Sequence, residues 1–346
     1  MGEYGVSYRM DKIKKNFIVI VMSICFIFSG CKSNDGIFIS TGLKNDEMFK
    51  IGGSVCTVKE AELFLYTVRN QYEAVYGKDI WNVKVNDNDQ TMQEYVKDVV
   101  KQQLARIKCM YLLAKNKGIE LEASEEQQIE LAADEYYNAL SDEEKTGLKM
   151  DIESVKEIYR EYLYAEKIYD ELTGSVNVEI SDDDARIITI QYIRIKKNEQ
   201  NRDDKLSAIN AIATQVKDGG DFASLAVEHS DDDIYEKMVK RGDMPTQVDD
   251  EIFELVNNEV SKVIETSDSY YLAKCISDYN KDETAKNKID LLRNAKEEAF
   301  NTEYDSYINT LPSEFNDDVW DKIDFTEESV GTSTNFFDVY NSHFGS

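Results

Sequence analysis

The sequence predicts an α+β protein: a helical N-terminal domain, completed by a helix that returns from the C-terminal side, with a smaller α/β domain inserted between them. Three observations predict it. Apolar residues recur at helical spacing through most of residues 57–172. Two runs rich in β-branched and aromatic residues, Ile187 to Ile195 and Tyr270 to Ile276, read as strands that enclose a compact unit. Helical spacing then resumes from Thr284 to Leu311, a run too long to close a small domain alone, so it is expected to pack back on the N-terminal helices. Only two prolines, Pro245 and Pro312, interrupt the 346 residues, which suits long helices.

Taken in order, residues 48–57 read as a hairpin turning at Gly52-Gly53. Thr57 with Glu60 forms a capping-box signature for a first helix carrying Ala61, Leu63, Phe64, Val68 and Tyr72. Asn88 to Asn116 is a second helix with a broad apolar stripe, stopped by Gly118. Ser124 with Gln127 and Ser141 with Glu144 cap a third and a short fourth helix, and Ile152 to Leu172 is the fifth. These helices place the first domain at residues 48–178.

From Val176 an extended linker leads through Ser181 to Asp184, a turn or cap, into the strand Ile187 to Ile195. Helices follow at Arg202 to Val216, Phe222 to Val227 and Asp250 to Val256, and the strand Tyr270 to Ile276 closes the unit at residues 179–280. Residues 281–325 form the returning helix, with Val319, Trp320 and Ile323 as anchors after it. The tail 326–346, rich in Ser, Thr and Asn, reads as disordered.

Location is read from the first 31 residues. Arg9, Lys12, Lys14 and Lys15 precede an apolar run from Phe17 to Phe28, the length of a signal-peptide core and short for a spanning helix, which needs about 20 residues. Ser29-Gly30-Cys31 then looks like a lipobox, making residues 1–30 a signal peptide, Cys31 the lipidated N-terminus and 31–47 a flexible tether. A signal anchor with an incidental cysteine is the alternative. On the first reading the protein is held on the outer face of the cytoplasmic membrane.

The formal charge is −28, and it becomes −30 once a leader with four basic and two acidic residues is removed. Such a surface repels phosphate backbones, which argues against nucleic acid as a partner. It is either a solvated acidic face or a rim for basic and partly unfolded polypeptides. Of five cysteines, Cys25 lies in the leader and Cys31 takes the lipid; Cys56, Cys109 and Cys275 are widely spaced in apolar contexts and read as buried thiols rather than disulfides. His229 and His343 are too far apart in sequence to build a metal site or a triad, so neither metal nor cofactor is expected.

One stretch carries chemistry: Gly220-Asp221-Phe222-Ala223-x-Leu225-Ala226 with Ser230 and Asp232 after it, then Glu259-Val260-Ser261 before the Tyr-rich strand. This pattern resembles parvulin-type peptidyl-prolyl isomerases, and with the lipobox and the flanking helices the chain is similar to the PrsA-type and SurA-like extracytoplasmic foldases. The specific motifs lie within residues 187–276, and the broader likeness covers residues 48 to about 325.

The resemblance implies an inserted parvulin-like domain in a chaperone-like helical body, clients that are unfolded or partly folded secreted proteins, and prolyl isomerisation at an apolar pocket over a hydrogen-bonded floor. It also admits a homodimer. It places the acidic floor position at Asp232 and the two family histidine positions at Tyr192 and Tyr271, whose hydroxyls can donate and accept. Met244, Val248 and Phe253 fall where the proline ring is gripped.

The residues alone leave other readings open: both tyrosines as ordinary sheet aromatics, Asp231-Asp232 as a solvated turn, Met244 as core. The family's glycine turn before the methionine is replaced by Ile234 to Lys240, so a shortened strand or loop is expected there. Two functions follow: a foldase with isomerase activity, or an inactive holdase that keeps the parvulin-like domain as scaffold or peptide-docking surface.

Overall fold

The computed structural model describes residues 42–86, 89–325 and 335–345. The leader, Cys31 and most of the tether lie outside the described residues. The chain divides into two compact units, Met1–Val176 with Glu297–Ser346, and Asn177–Lys296.

The first unit opens with the hairpin β1 (Glu47–Ile51) and β2 (Ser54–Thr57). Its turn places Gly52 at φ 54° and Gly53 at φ 101°, a left-handed pair that non-glycine residues adopt only under strain. Thr57 caps α1 (Val58–Tyr76) by accepting from the Glu60 amide. After a 3₁₀ turn at Lys78–Asn82 comes α2 (Met92–Asn116), capped reciprocally by Thr91 and Glu94, so the helix starts four residues later than expected. Gly118 at φ 77° ends it: the Ile119 amide bonds back to the Ala114 carbonyl.

The next helix, α3 (Ala123–Ala139), is capped by Glu122 with Glu125 rather than by Ser124 with Gln127. Then α4 (Asp142–Leu148) has the Ser141–Glu144 box, and α5 (Ile152–Thr173) is capped by Asp151. These helices share one core with Phe300, Tyr304, Trp320, Ile323 and Phe325 from beyond the second unit. The strand β7 (Ser313–Phe315) pairs antiparallel with β1 to finish a small sheet ordered β2-β1-β7, and a single turn of helix, α11 (Asp317–Trp320), follows it. Arg106 lies 5.2 Å from both the Phe300 and Tyr304 rings, a cation–π clasp on the returning helix.

The tail departs from expectation. Instead of being disordered throughout, Phe336–Phe344 is a helix, α12, with Phe336 and Tyr340 each 1% exposed. Its polar surroundings in sequence hid a run of aromatics that has a core to enter. Residues 326–334 lie outside the described residues.

The second unit is a four-stranded antiparallel sheet ordered β4-β3-β6-β5. After a short turn of helix, α6 (Asp182–Ala185), β3 (Ile187–Lys196) takes the centre, flanked by β4 (Glu236–Lys240) and β6 (Ser269–Ser277), with the two-residue β5 (Ile264–Glu265) outside β6. In the segment where a shortened strand or loop is expected, five residues of β4 pair with Ile187–Gln191. The glycine it was thought to lack sits just beyond, where Gly242 at φ 88° turns the chain and donates its amide to Asp249 Oδ1 at 3.1 Å.

Period-two alternation splits this unit into two cores. Ile193, Ile195, Tyr270 and Leu272 face α7 (Arg202–Lys217) and α8 (Phe222–His229). Ile188, Ile190, Tyr192, Tyr271 and Ala273 face α9 (Thr246–Ile252). This last helix starts four residues before the expected Asp250, directly after Pro245, whose fixed φ suits a helix entrance. The helix α10 (Lys281–Ile308) leaves the second unit, and residues from Glu297 onward belong to the first.

Candidate functional site

Register brings the floor together. Tyr192 pairs with Ala273 and Arg194 with Tyr271, so Tyr192, Arg194 and Tyr271 project from the same face of adjacent strands. The Tyr192 and Tyr271 rings lie 6.4 Å apart at 35°. The Arg194 guanidinium stands 5.8 Å from the Tyr271 ring centre.

The segment after α8 supplies the acid. Asp221 caps that helix, accepting from the Ser224 amide at 2.9 Å, and the helix ends at His229. Ser230 Oγ then accepts from the Arg194 amide at 3.2 Å, and the Asp231 amide donates to the Arg194 carbonyl at 2.8 Å. The Asp231 carboxylate accepts from the Lys196 amide at 2.7 Å. Asp231 thus ties the loop to the strand edge, and Asp232 is left to turn over the face. There Asp232 Oδ2 accepts from the Tyr192 hydroxyl at 3.3 Å, and Oδ1 lies 3.4 Å from Arg194 Nη1.

Arg194 is the organising residue that the sequence reading passed over. Its Nη2 also meets Asp268 Oδ2 at 2.9 Å and its Nε donates to Ser269 Oγ at 2.9 Å. The signal was available: two residues after Tyr192 on an alternating strand is the same face. Burial, with the Asp232 charge second, pushes the Tyr192 phenol up to about 12, and burial likewise raises Tyr271. Both hydroxyls therefore keep their protons at neutral pH, and Tyr192 acts as a donor.

The apolar side is less open than expected. Met244, Val248 and Phe253 all join the cluster containing Tyr192 and Tyr271. Yet Val248 is 0% and Phe253 2% exposed, so neither presents surface to a ligand, while Met244 at 9% stands at the rim. Phe253 is held by Arg241, 4.6 Å from its ring centre, and by Arg186 at 5.4 Å, whose Nη2 donates to the Phe253 carbonyl at 2.5 Å. Placing α9 four residues earlier than the sequence indicated turned Val248 inward. Val248 and Phe253 back the wall, and the least covered members of this cluster are Met244 at 9% and Tyr192 at 6%. Among the described residues no group of three or more His, Cys, Asp or Glu is placed to hold a metal ion.

The PPIC-type PPIASE domain family matches residues 172–279, which include every residue of this site. Solved structures with a similar trace include a PrsA peptidylprolyl isomerase from Bacillus cereus, 13% identical, covering 74% of this chain and 96% of its own at a TM-score of 0.36. Foldase protein PrsA from Streptococcus pneumoniae is 20% identical, covering 80% and 97% at a TM-score of 0.27. A SurA-like chaperone from Campylobacter jejuni is 12% identical, covering 79% and 99% at 0.25. No curated protein sequence matches the chain.

Proposed function

We propose, from the premise that residues 172–279 form a PPIC-type, that is parvulin-type, peptidyl-prolyl isomerase domain, that this chain is a foldase on the outer face of the cytoplasmic membrane which isomerises Xaa-Pro bonds in secreted proteins. The observation that carries the reading is the meeting of Met244, Tyr192, Tyr271 and Asp232 on one sheet face, with Tyr192 hydrogen-bonded to Asp232.

The chemistry asks for no covalent step. The barrier of about 18–20 kcal/mol is amide resonance, and twisting the bond returns a lone pair to the proline nitrogen. A donor aimed at that nitrogen is favoured only in the twisted state, which is the condition for lowering a barrier. In the resting site the single Tyr192 proton is donated to Asp232, so Tyr192 serves as such a donor by turning that proton from Asp232 to the nitrogen. Arg194 holds the carboxylate it leaves, and the Met244 side receives the ring. In an Xaa-Pro tetrapeptide assay the full chain is expected to exceed the spontaneous rate. Tyr192→Phe, which keeps the ring and removes the donor, should lower the gain about tenfold, equivalent to about 1.4 kcal/mol. No rate above the spontaneous one would remove the enzymatic reading.

A second reading is favoured by the full burial of Val248 and Phe253. With the wall filled, the face docks peptide without turning it over, and the chain acts as a holdase. It predicts suppression of client aggregation with no gain in the tetrapeptide assay.

The lipobox at Phe28-Ser29-Gly30-Cys31 supports anchoring by a diacylated Cys31. Cys31→Ala should move the chain from the membrane to the soluble fraction; complete retention in the membrane pellet would refute the anchor.

A further inference from the structure

The β4 edge of the sheet adds a charge to the tyrosine floor. Lys237 pairs with Ile190, so it shares the face of Ile190 and Tyr192, and Val239 of the same strand enters the same cluster. The Lys237 ammonium stands 5.7 Å from the Tyr192 ring centre, a cation–π contact. Its neighbour Glu236 points to the opposite face, where the carboxylate accepts from Gln191 Nε2 at 2.7 Å. Lys237 is half-buried on the outermost strand, with no further strand beside it.

Two cations therefore flank Tyr192, and they differ in one respect. Arg194 is answered by Asp232 and Asp268. Lys237 is not answered: among the described residues no carboxylate pairs with its ammonium, and both Asp232 oxygens are engaged by Tyr192 and Arg194. The chain has 68 acidic residues to 40 basic ones, so carboxylates to neutralise one lysine are not scarce. The ammonium nevertheless stands unbalanced against an aromatic ring of the candidate site, in partly desolvated surroundings where an arriving carboxylate is drawn to it.

We infer that Lys237 is a specificity-determining residue, which receives the carboxylate of an acidic side chain directly before the proline of a substrate. The inference rests on the isomerase reading of this face and names the substrate class that reading leaves open. The Tyr192 proton is turned to the prolyl nitrogen and the Met244 side takes the ring. The nitrogen's other neighbour is the carbonyl carbon of the preceding residue, and the next atom is the Cα that carries the selecting side chain. A Glu there brings its carboxylate within reach of Lys237, whereas a Lys there meets an unbalanced like charge. The charge of the whole chain, −28, works in the other direction, because it attracts basic peptides. A preference for Glu-Pro over Lys-Pro therefore has a local origin.

The test uses the full chain with the tetrapeptides Ala-Glu-Pro-Phe, Ala-Gln-Pro-Phe and Ala-Lys-Pro-Phe. Binding is read by fluorescence anisotropy of the fluorescein-labelled peptides, and turnover of the unlabelled ones by NMR exchange. At low salt the Glu peptide is expected to exceed the Gln peptide about threefold and the Lys peptide about tenfold, in affinity and in kcat/KM. Raising the salt to about 0.5 M should shrink both differences below about twofold. Lys237→Met keeps the apolar stem over Tyr192 and should bring the Glu-to-Gln ratio to about one, with Lys at or above Glu. Lys240→Met removes the same charge from the opposite, exposed face of β4 and should leave the original order. Equal values for the three peptides would overturn the inference. So would an unchanged order in Lys237→Met, an equal loss for all three peptides in that variant, which marks a structural lysine, or a collapse of the order in Lys240→Met, which marks a general field. Binding in the expected order without turnover removes the isomerase reading and keeps the carboxylate site on a docking face. Turnover without preference keeps the isomerase reading and removes the site, and neither binding nor turnover removes both.

Discussion

Lys108 of α2 lies between two carboxylates inside the helical unit, 2.9 Å from Glu60 Oε1 on α1 and bonded to Glu161 of α5, with all three side chains at most 8% exposed. One cation faces two anions, so the site carries an excess negative charge in a place that disfavours any charge. Burial pushes the Glu161 carboxyl up to about 7, with the Lys108 charge opposing and Glu60 adding to the rise. Burial also works against the charge on Lys108, but the two carboxylates outweigh it and raise its pKa. Cys56 on β2, next to the cluster, is raised well above the usual thiol range by burial first and Glu60 second.

The sign for Glu161 follows from proton counting. Between about pH 4.5 and 7 the folded chain holds a proton on Glu161 that the unfolded chain has released, so stability falls as pH rises through that window and levels off above it. Glu161→Gln keeps an acceptor for Lys108 and removes the extra charge. It should flatten the fall and make the protein more stable at pH 8, on the order of 1–3 kcal/mol. Urea midpoints at pH 5 and pH 8 check this: parallel curves for the two proteins would show that Glu161 does not carry the effect.

At the scale of elements, what was legible had local causes. Thr57 with Glu60 and Ser141 with Glu144 mark helix starts because the cap is a contact between residues three apart, and Gly52-Gly53 marks a turn because its φ values exclude most side chains. Elements that depend on distant partners were not legible. The strand β4, Glu-Lys-Met-Val-Lys, is charged and short, with Met238 56% exposed, and it is a strand because β3 offers it an edge. In the same way α12 has an aromatic run that reads as tail until the core it enters is present, and β7 is three residues made regular by β1. The candidate site shows the same division. Tyr192, Asp232 and Tyr271 were found from a motif, whereas the inward turn of Val248 depended on where α9 begins after Pro245. Arg194 could have been found from period two alone.

For the whole molecule the order of the chain matters more than its length. The first unit takes residues from both sides of the second, and Phe300, Tyr304, Trp320, Phe325 and Phe336 of its core are all synthesised after the second unit is complete. Removing everything after Lys296 would leave Phe64, Trp81 and Tyr159 without ring partners that they have in the intact fold. Each large aromatic lost from a core costs about 3–5 kcal/mol, against a total stability of about 5–15 kcal/mol, so a chain stopped there should not hold its helical unit. Excising residues 177–296 instead, and joining the ends by a Gly-Ser linker of about 20 residues with a span near 25 Å, removes no member of that core. This shortened chain should unfold cooperatively, and it separates the two functional readings because it lacks the whole tyrosine floor. If it suppresses aggregation of a reduced, unfolded client as well as the intact chain does, client binding resides in the helical unit and the parvulin-type domain adds isomerisation or docking to it. If suppression disappears while the helical unit remains folded by circular dichroism, the client is held on the sheet face of Tyr192, Arg194 and Tyr271, and the helical unit is support for it.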